Sequence, residues 1–207
     1  MQKHKTWSYN MKCLIYDFET LSQDMFNGVV VNIAAMNYTE ERFTHDPYSY
    51  EELLDKCSVM KFDVKEQVEK YGRAIEQETL NWWKKQTAEA QKCLSPSDED
   101  VSIKELYPFL IDKHDAPNCD KIFTRANTFD PILVRTIFDN IGVKKDPTPW
   151  WTIRDTRSYL DAFLWGSSHK NSFIPEEVKD KFIHHDPSHD IAMDVYRMQS
   201  VIQVVHG

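Results

Sequence analysis

No C-x-x-C pair occurs in this chain. Its four cysteines, Cys13, Cys57, Cys93 and Cys119, lie far apart. A disulfide framework uses denser and more regular spacing, so free thiols in a reducing compartment are expected. Also missing is any apolar run long enough for a signal sequence or a membrane span, which points to a cytoplasmic protein. No internal repeat or low-complexity tract is visible. Positive charge is not in excess either: 25 Lys and Arg stand against 33 Asp and Glu, a formal net charge of −8. That balance argues against a protein that coats nucleic acid by bulk attraction. It leaves open an enzyme that holds one strand end in a local cleft, with some carboxylates committed to cations.

What is present suits a soluble globular chain. The 207 residues are 41% apolar and 28% charged, enough to bury a core without disulfides or a structural metal. Residues 1–10, MQKHKTWSYN, read as an N-terminal extension, and 11–207 as one domain.

The run MKCLIYD at 11–17 reads as a buried strand, and GVVVNIAAMNY at 28–38, β-branched at its start, as its neighbour. The stretch at 42–44 would complete a meander, and 47–58 are turn-rich and unassigned. Helical composition runs from 76 to 94 with Thr79 a candidate N-cap, and again from 101 to 112. Residues 121–124, KIFT, resemble a strand. Ile132, Leu133, Ile137 and Phe138 give a helical stripe ending near Gly142. A short strand is expected at 150–153 and a helix at 157–165. Ile191, Val195, Met198, Ile202 and Val205 recur at steps of four and three, one face of a last helix. Asp186-Pro187 supplies its cap and first position. Strands followed by alternating strands and helices imply a mixed α/β fold.

Asp17-Phe18-Glu19 ends the first strand. Residues two apart on a strand share a face, so both carboxylates enter one cleft. Two close, desolvated negative charges repel, and a hard cation such as magnesium relieves that repulsion; a solvated acidic turn is the bland alternative. Asp130 stands where a strand gives way to a helix, and taken alone a simple cap before Pro131 is the favoured reading of it. Asp190 opens the last helix, where the helix dipole alone stabilises an acid. His185 lies just upstream. The run H-H-D-P-S-H-D also raises a zinc site through His185 and His189, but Pro187 starts the helix between them and no H-E-x-x-H glutamate is present.

Taken in chain order, D-x-E on a first strand, F-D at a strand–helix junction and H-x₄-D leading a final helix resemble the DEDDh branch of the DnaQ-like exonucleases. Within it, Thr79 to Ala90 (TLNWWKKQTAEA), the SPSDEDV that follows and Arg154 to Arg157 are similar to the phage exodeoxyribonuclease A type. The resemblance implies a ribonuclease H-like fold, a mixed sheet flanked by helices, and 3′→5′ hydrolysis of nucleic acid, with single-stranded DNA the expected partner and the host cytoplasm the expected location of a phage-encoded chain. It implies that Asp17, Glu19, Asp130 and Asp190 hold two divalent cations, Mg²⁺ or Mn²⁺, and that His185 takes the proton from the attacking water. Thr20, Leu21, Arg125 and Phe129 fall at substrate-binding positions. Two departures touch those positions: the glycine common after D-x-E-T is replaced by Leu21-Ser22, and Arg125 stands where many relatives carry Asn. Two-cation hydrolysis suits the chemistry, because a phosphodiester needs a nucleophile, charge neutralisation and a stabilised leaving oxygen.

An RNA-directed enzyme on the same fold and a non-catalytic nucleic-acid-binding module are the competing readings. Trp82-Trp83 could stack on bases, but adjacent positions on a helix point in different directions, so at most one meets substrate and core packing is expected for both. Trp150-Trp151 carry the same ambiguity between stacking and core. Arg154 and Arg157 divide between ion pairing and phosphate contact. Asp194, one turn past Asp190, is a lesser candidate ligand.

Overall fold

A computed structural model describes the backbone of residues 11–144 and 148–206, with side chains as far as residue 204. The expected extension at 1–10 and the side chain of Val205, last in the apolar stripe, lie outside the described residues. Five strands, β1 (Lys12–Thr20), β2 (Val30–Thr39), β3 (Ser58–Lys61), β4 (Lys121–Thr124) and β5 (Ile153–Asp155), form one sheet in the order β3-β2-β1-β4-β5. The β1, β2 and β3 pairings are antiparallel, whereas β4 runs parallel to β1 and β5 parallel to β4. The helices are α1 (Arg42–His45), α2 (Tyr50–Lys56), α3 (Val64–Tyr71), α4 (Gln77–Trp83), α5 (Ala88–Gln91), α6 (Leu106–Pro108), α7 (Asp130–Ile141), α8 (Thr156–Phe163) and α9 (Pro187–His206). Among the described residues no helix is long and apolar enough to cross a membrane.

Alternation along β1 divides the core. Cys13 and Ile15, with Met36 and Tyr38 of β2, pack against Ile191, Val195 and Met198 of α9. Leu14, Tyr16 and Phe18 turn to the opposite face, against Leu133, Val134, Ile137 and Phe138 of α7 and against Leu106, Phe109 and Leu110. Apart from Ile132, which lines a surface depression, the described residues of the apolar stripes read from the sequence of α7 and α9 are therefore the faces that cover the sheet. Gly142, with φ +80°, ends α7 in the left-handed conformation that glycine adopts without steric cost.

Several local expectations are corrected. The third strand of the meander is β3, and 42–44 instead turn into α1, where Phe43 is buried and stacks on Tyr38 at 5.8 Å. Arg42 fastens this corner through Glu52 and lies 3.8 Å over the Tyr48 ring. The unassigned 47–58 hold α2, capped by Ser49, whose Oγ accepts the Glu52 N–H. The helical composition at 76–94 breaks in two, because the Thr87 side chain accepts the Ala90 N–H and restarts the chain as α5. Thr79 is not a cap. It sits inside α4, whose N-cap position is Glu76. Residues 150–152 form a 3₁₀ turn, and the strand begins only at Ile153.

Candidate active site

Asp17 and Glu19 continue the β1 face that carries Cys13 and Ile15, so both point toward α9. Registered pairing of β1 with β4 stops at Ile15↔Phe123, and beyond it the β4-side edge of β1 is open. Asp130 fills that gap: its Oδ1 accepts the Phe18 N–H at 3.4 Å. The carboxylate does not cap α7, whose N-cap position is Phe129 with no side-chain bond. It is buried at 3% exposure and committed to β1.

The start of α9 brings in the remaining groups. Asp186 Oδ1 accepts the N–H groups of Ser188 and His189 at 3.0 and 3.2 Å, which is the expected cap. To enter it, His185 adopts φ +62°, a conformation that costs a non-glycine residue on the order of 1–3 kcal/mol. The His185 N–H donates to Asp190 Oδ2 at 3.2 Å. Glu19, His185 and Asp190 each present one ligand atom within 4.8 Å of the others. His189 points elsewhere, with Nδ1 3.0 Å from the Tyr50 hydroxyl, so the structure does not join it to His185 as a zinc pair.

These groups line one cleft of about 500 Å³, with Phe129, Arg125, Arg157 and Arg197 on its walls. A larger depression of about 650 Å³ lies beside β3, walled by Lys61, Phe109 and the acids Glu99, Asp100, Glu105 and Asp112, but among the described residues no imidazole lines it. Burial, and then the carboxylates of Asp130, Glu19 and Asp190, push Asp17 well above the usual carboxylate range. Glu19 is raised for the same reasons, by burial and by Asp190. Burial lifts Asp130 and Asp190 to about 7. Asp130 would stand higher without the Phe18 N–H and the Arg157 charge. His185 moves the other way, held below 6.5 by burial and by His184, and is neutral at pH 7. Four hard carboxylate donors that repel one another suit a hard divalent cation.

Raised carboxylates carry a stability consequence. Between the ordinary value of 3.8 and about 7, folded Asp130 keeps a proton that the unfolded chain has lost, so its contribution to stability falls as pH rises. Asparagine cannot ionise and still offers an amide oxygen to Phe18. In EDTA, the Tm of Asp130→Asn relative to the unsubstituted chain is expected to increase with pH across this window. A difference that is flat or falls would contradict the buried-charge account.

Other sequence candidates separate. Arg125 pairs with Asp194 at 2.5 Å. Asp194, 2% exposed, also accepts from Arg197 at 2.9 Å and from the Thr156 hydroxyl at 2.6 Å, so both its oxygens are engaged. Thr20 donates its hydroxyl to the Ser22 carbonyl, and its own carbonyl accepts the Trp83 indole N–H, both at 2.8 Å. Leu21 is buried with Val29, Val31 and Trp83 and is not on the cleft wall. Of the first tryptophan pair, the core expectation holds for Trp83 and not for Trp82. Trp82 is exposed with its ring 4.7 Å from His185, and Trp150 and Trp151 are exposed. Polar positions that the sequence reading passed over are Arg197, whose i,i+3 spacing from Asp194 inside an apolar helix was the available signal, and Asn32. Asn32 lies opposite Glu19 in register, is buried, and its Oδ1 has no hydrogen-bond partner among the described residues.

Residues 12–195 match the model of the 3′-5′ exoribonuclease Rv2179c-like domain. The exodeoxyribonuclease of Enterobacteria phage T4 is 31% identical over 209 residues, covering 93% of this chain and 90% of that protein. Among solved structures, E. coli exonuclease I in its zinc-bound complex with single-stranded DNA aligns with a TM-score of 0.51 at 17% identity, over 95% of this chain and 40% of its own. An oligonucleotide complex of the same enzyme gives 0.52 at 15%. At this identity the likeness is one of fold, the ribonuclease H-like mixed sheet flanked by helices, and the chain spans about 40% of the length of exonuclease I.

Proposed function

The chain belongs to the 3′–5′ exonucleases of the Rv2179c-like domain family, and from that premise we propose that it removes 5′-mononucleotides from the 3′ end of single-stranded DNA, with residues 11–207 acting as one exonuclease unit. The convergence of Asp17, Glu19, Asp130 and Asp190 with His185 in one cleft carries this reading. The four carboxylates would hold two divalent cations, Mg²⁺ or Mn²⁺, which when bound neutralise the scissile phosphate and acidify water.

The chain's own groups do the rest. His185 is neutral at pH 7 and partly open to the cleft, so a ring nitrogen is free to take the proton of the attacking water. Its left-handed turn, the bond from its N–H to Asp190 and the edge of Trp82 hold the imidazole in place. Arg157, exposed on the cleft wall, offers a cation to the phosphate. The half-buried Phe129 ring presents an apolar surface there, against which a nucleobase can pack.

DNA is favoured over RNA by the phage relative, which matches over nearly its whole length and is named for DNA. The family model, named for exoribonuclease activity, supports RNA as the second reading. Strands of equal sequence in DNA and RNA, labelled at the 5′ end and incubated with Mg²⁺, are expected to give ladders shortened from the 3′ end, faster on DNA. Faster loss of RNA would transfer the case to the second reading. Cleavage of a circular single strand would overturn exonuclease action altogether.

A further inference from the structure

Trp150 and Trp151 are 80% and 62% exposed, with ring centroids 5.7 Å apart and nearly perpendicular. Large exposed apolar surface of this kind marks an interaction site. Trp150 walls a depression of about 350 Å³ together with Asn127, Pro131 and Arg135.

That depression adjoins the cleft along two segments of chain. On one, Ala126 and Asp130 face the cleft while the next residues, Asn127 and Pro131, face the depression. On the other, Arg157 lines the cleft, and Ile153 and Trp150 line the depression. The Asn127 N–H, which donates to Asp155 Oδ2 at 3.4 Å, ties the segments together. Cations follow the same path. Arg154 Nη1 donates to the carbonyls of Trp151 and Ile153, 2.8 Å each, which fixes its guanidinium against the backbone that follows the tryptophan pair. Arg135, Arg154 and Arg157 are exposed, and none takes part in the ion pairs formed among the described residues.

We infer that Trp150 and Trp151, with Arg135 and Arg154, form a second nucleic-acid surface that holds single-stranded nucleotides on the 5′ side of the residue in the cleft. Indoles stack on every base face, so such a surface is tolerant of sequence. Guanidinium groups pair with phosphate through paired donors. A duplex keeps its base faces stacked on one another, so the indoles select a single strand. In a chain of net charge −8, a short cationic strip beside the cleft provides attraction that the overall field does not. This inference rests on the exonuclease reading, because a 3′ end in the cleft determines which nucleotides reach the indoles.

Binding without turnover separates the two ideas. Fluorescent oligothymidylates of about 4 and about 16 nucleotides, spanning common single-strand site sizes, are titrated in EDTA and followed by anisotropy. The doubly substituted Trp150→Ala/Trp151→Ala protein is expected to bind the long strand about tenfold more weakly or worse, as loss of base stacking entails, and the short strand nearly as the unsubstituted chain does. The Trp150→Phe/Trp151→Phe protein, which keeps aromatic faces, is expected to recover most of the affinity, and an unchanged Tm checks folding. Binding of the long strand by the alanine protein as tightly as by the unsubstituted chain overturns the inference. So does self-association in sedimentation that the alanine protein loses while its DNA binding is unchanged, because the indoles then join copies of the chain. A protein that hydrolyses neither DNA nor RNA, yet shows the length-dependent loss, removes the exonuclease reading and leaves the surface standing.

Discussion

Asp17→Ala is expected to slow hydrolysis at least about 10³-fold, roughly 4 kcal/mol of barrier, and EDTA is expected to abolish it until Mg²⁺ or Mn²⁺ is returned. Asp17 is pressed, beyond its burial, by the carboxylates of Asp130, Glu19, Asp190 and Asp194, and only a compensating positive charge lets the four cleft acids Asp17, Glu19, Asp130 and Asp190 ionise near neutral pH. Removing Asp17 takes away a ligand and changes the charge that the other three feel. Since cations compete with protons for these oxygens, binding is expected to tighten with rising pH, in step with the release of protons held up to about 7 by Asp130 and Asp190. Substantial cleavage in EDTA, or an active Asp17→Ala protein, would remove the cation-dependent reading.

His185→Ala is expected to lose about 10²–10⁴-fold in rate, the usual contribution of a positioned acid–base group, while still binding cation. Because burial and His184 hold the imidazole below 6.5, the acid limb of the rate profile should lie below the pH expected of an exposed histidine. At saturating cation, activity would then be kept as pH falls through 6.5 and lost only as the ring takes up a proton. His189→Ala is expected to keep most activity, since its ring bonds to Tyr50 outside the cleft. Titration with Mn²⁺ distinguishes the roles, because His185 also lies among ligand-spaced groups with Glu19 and Asp190. Loss of binding in His185→Ala would make it a ligand, and near-normal activity would make it neither ligand nor base.

The geometry of the two histidines shows why order along a chain can be informative while spacing misleads. His185 and His189 are four apart, yet Asp186 and Pro187 place a helix start between them, and one ring faces the cleft while the other meets Tyr50. Asp130 gives the converse case. Its neighbour Pro131 made a helix cap the natural reading, and its carboxylate instead accepts from Phe18, 112 residues away.

Features carried by neighbours in sequence were thus legible without coordinates. The alternation that sends Asp17 and Glu19 to one face, the stripes of α7 and α9, the Asp186 cap and the strand at 121–124 each depend on contacts within a few residues, where backbone geometry admits few arrangements. Features set by distant partners were not. The edge strand β3 takes its place only because β2 offers an open side, and the short turns at 42–56 owe their form to burial of Phe43 and Leu53 against α9. Nothing local distinguishes Trp83, buried with its N–H on the Thr20 carbonyl, from Trp82, which lies exposed against His185. Nor does it separate Arg125, paired with Asp194, from Arg154, held against the backbone that follows the exposed tryptophan pair. Composition and periodicity determined which carboxylates were available for a cleft. Only the tertiary structure decided which side chains surround them, because burial and partner choice depend on groups that the chain brings together from far along its length.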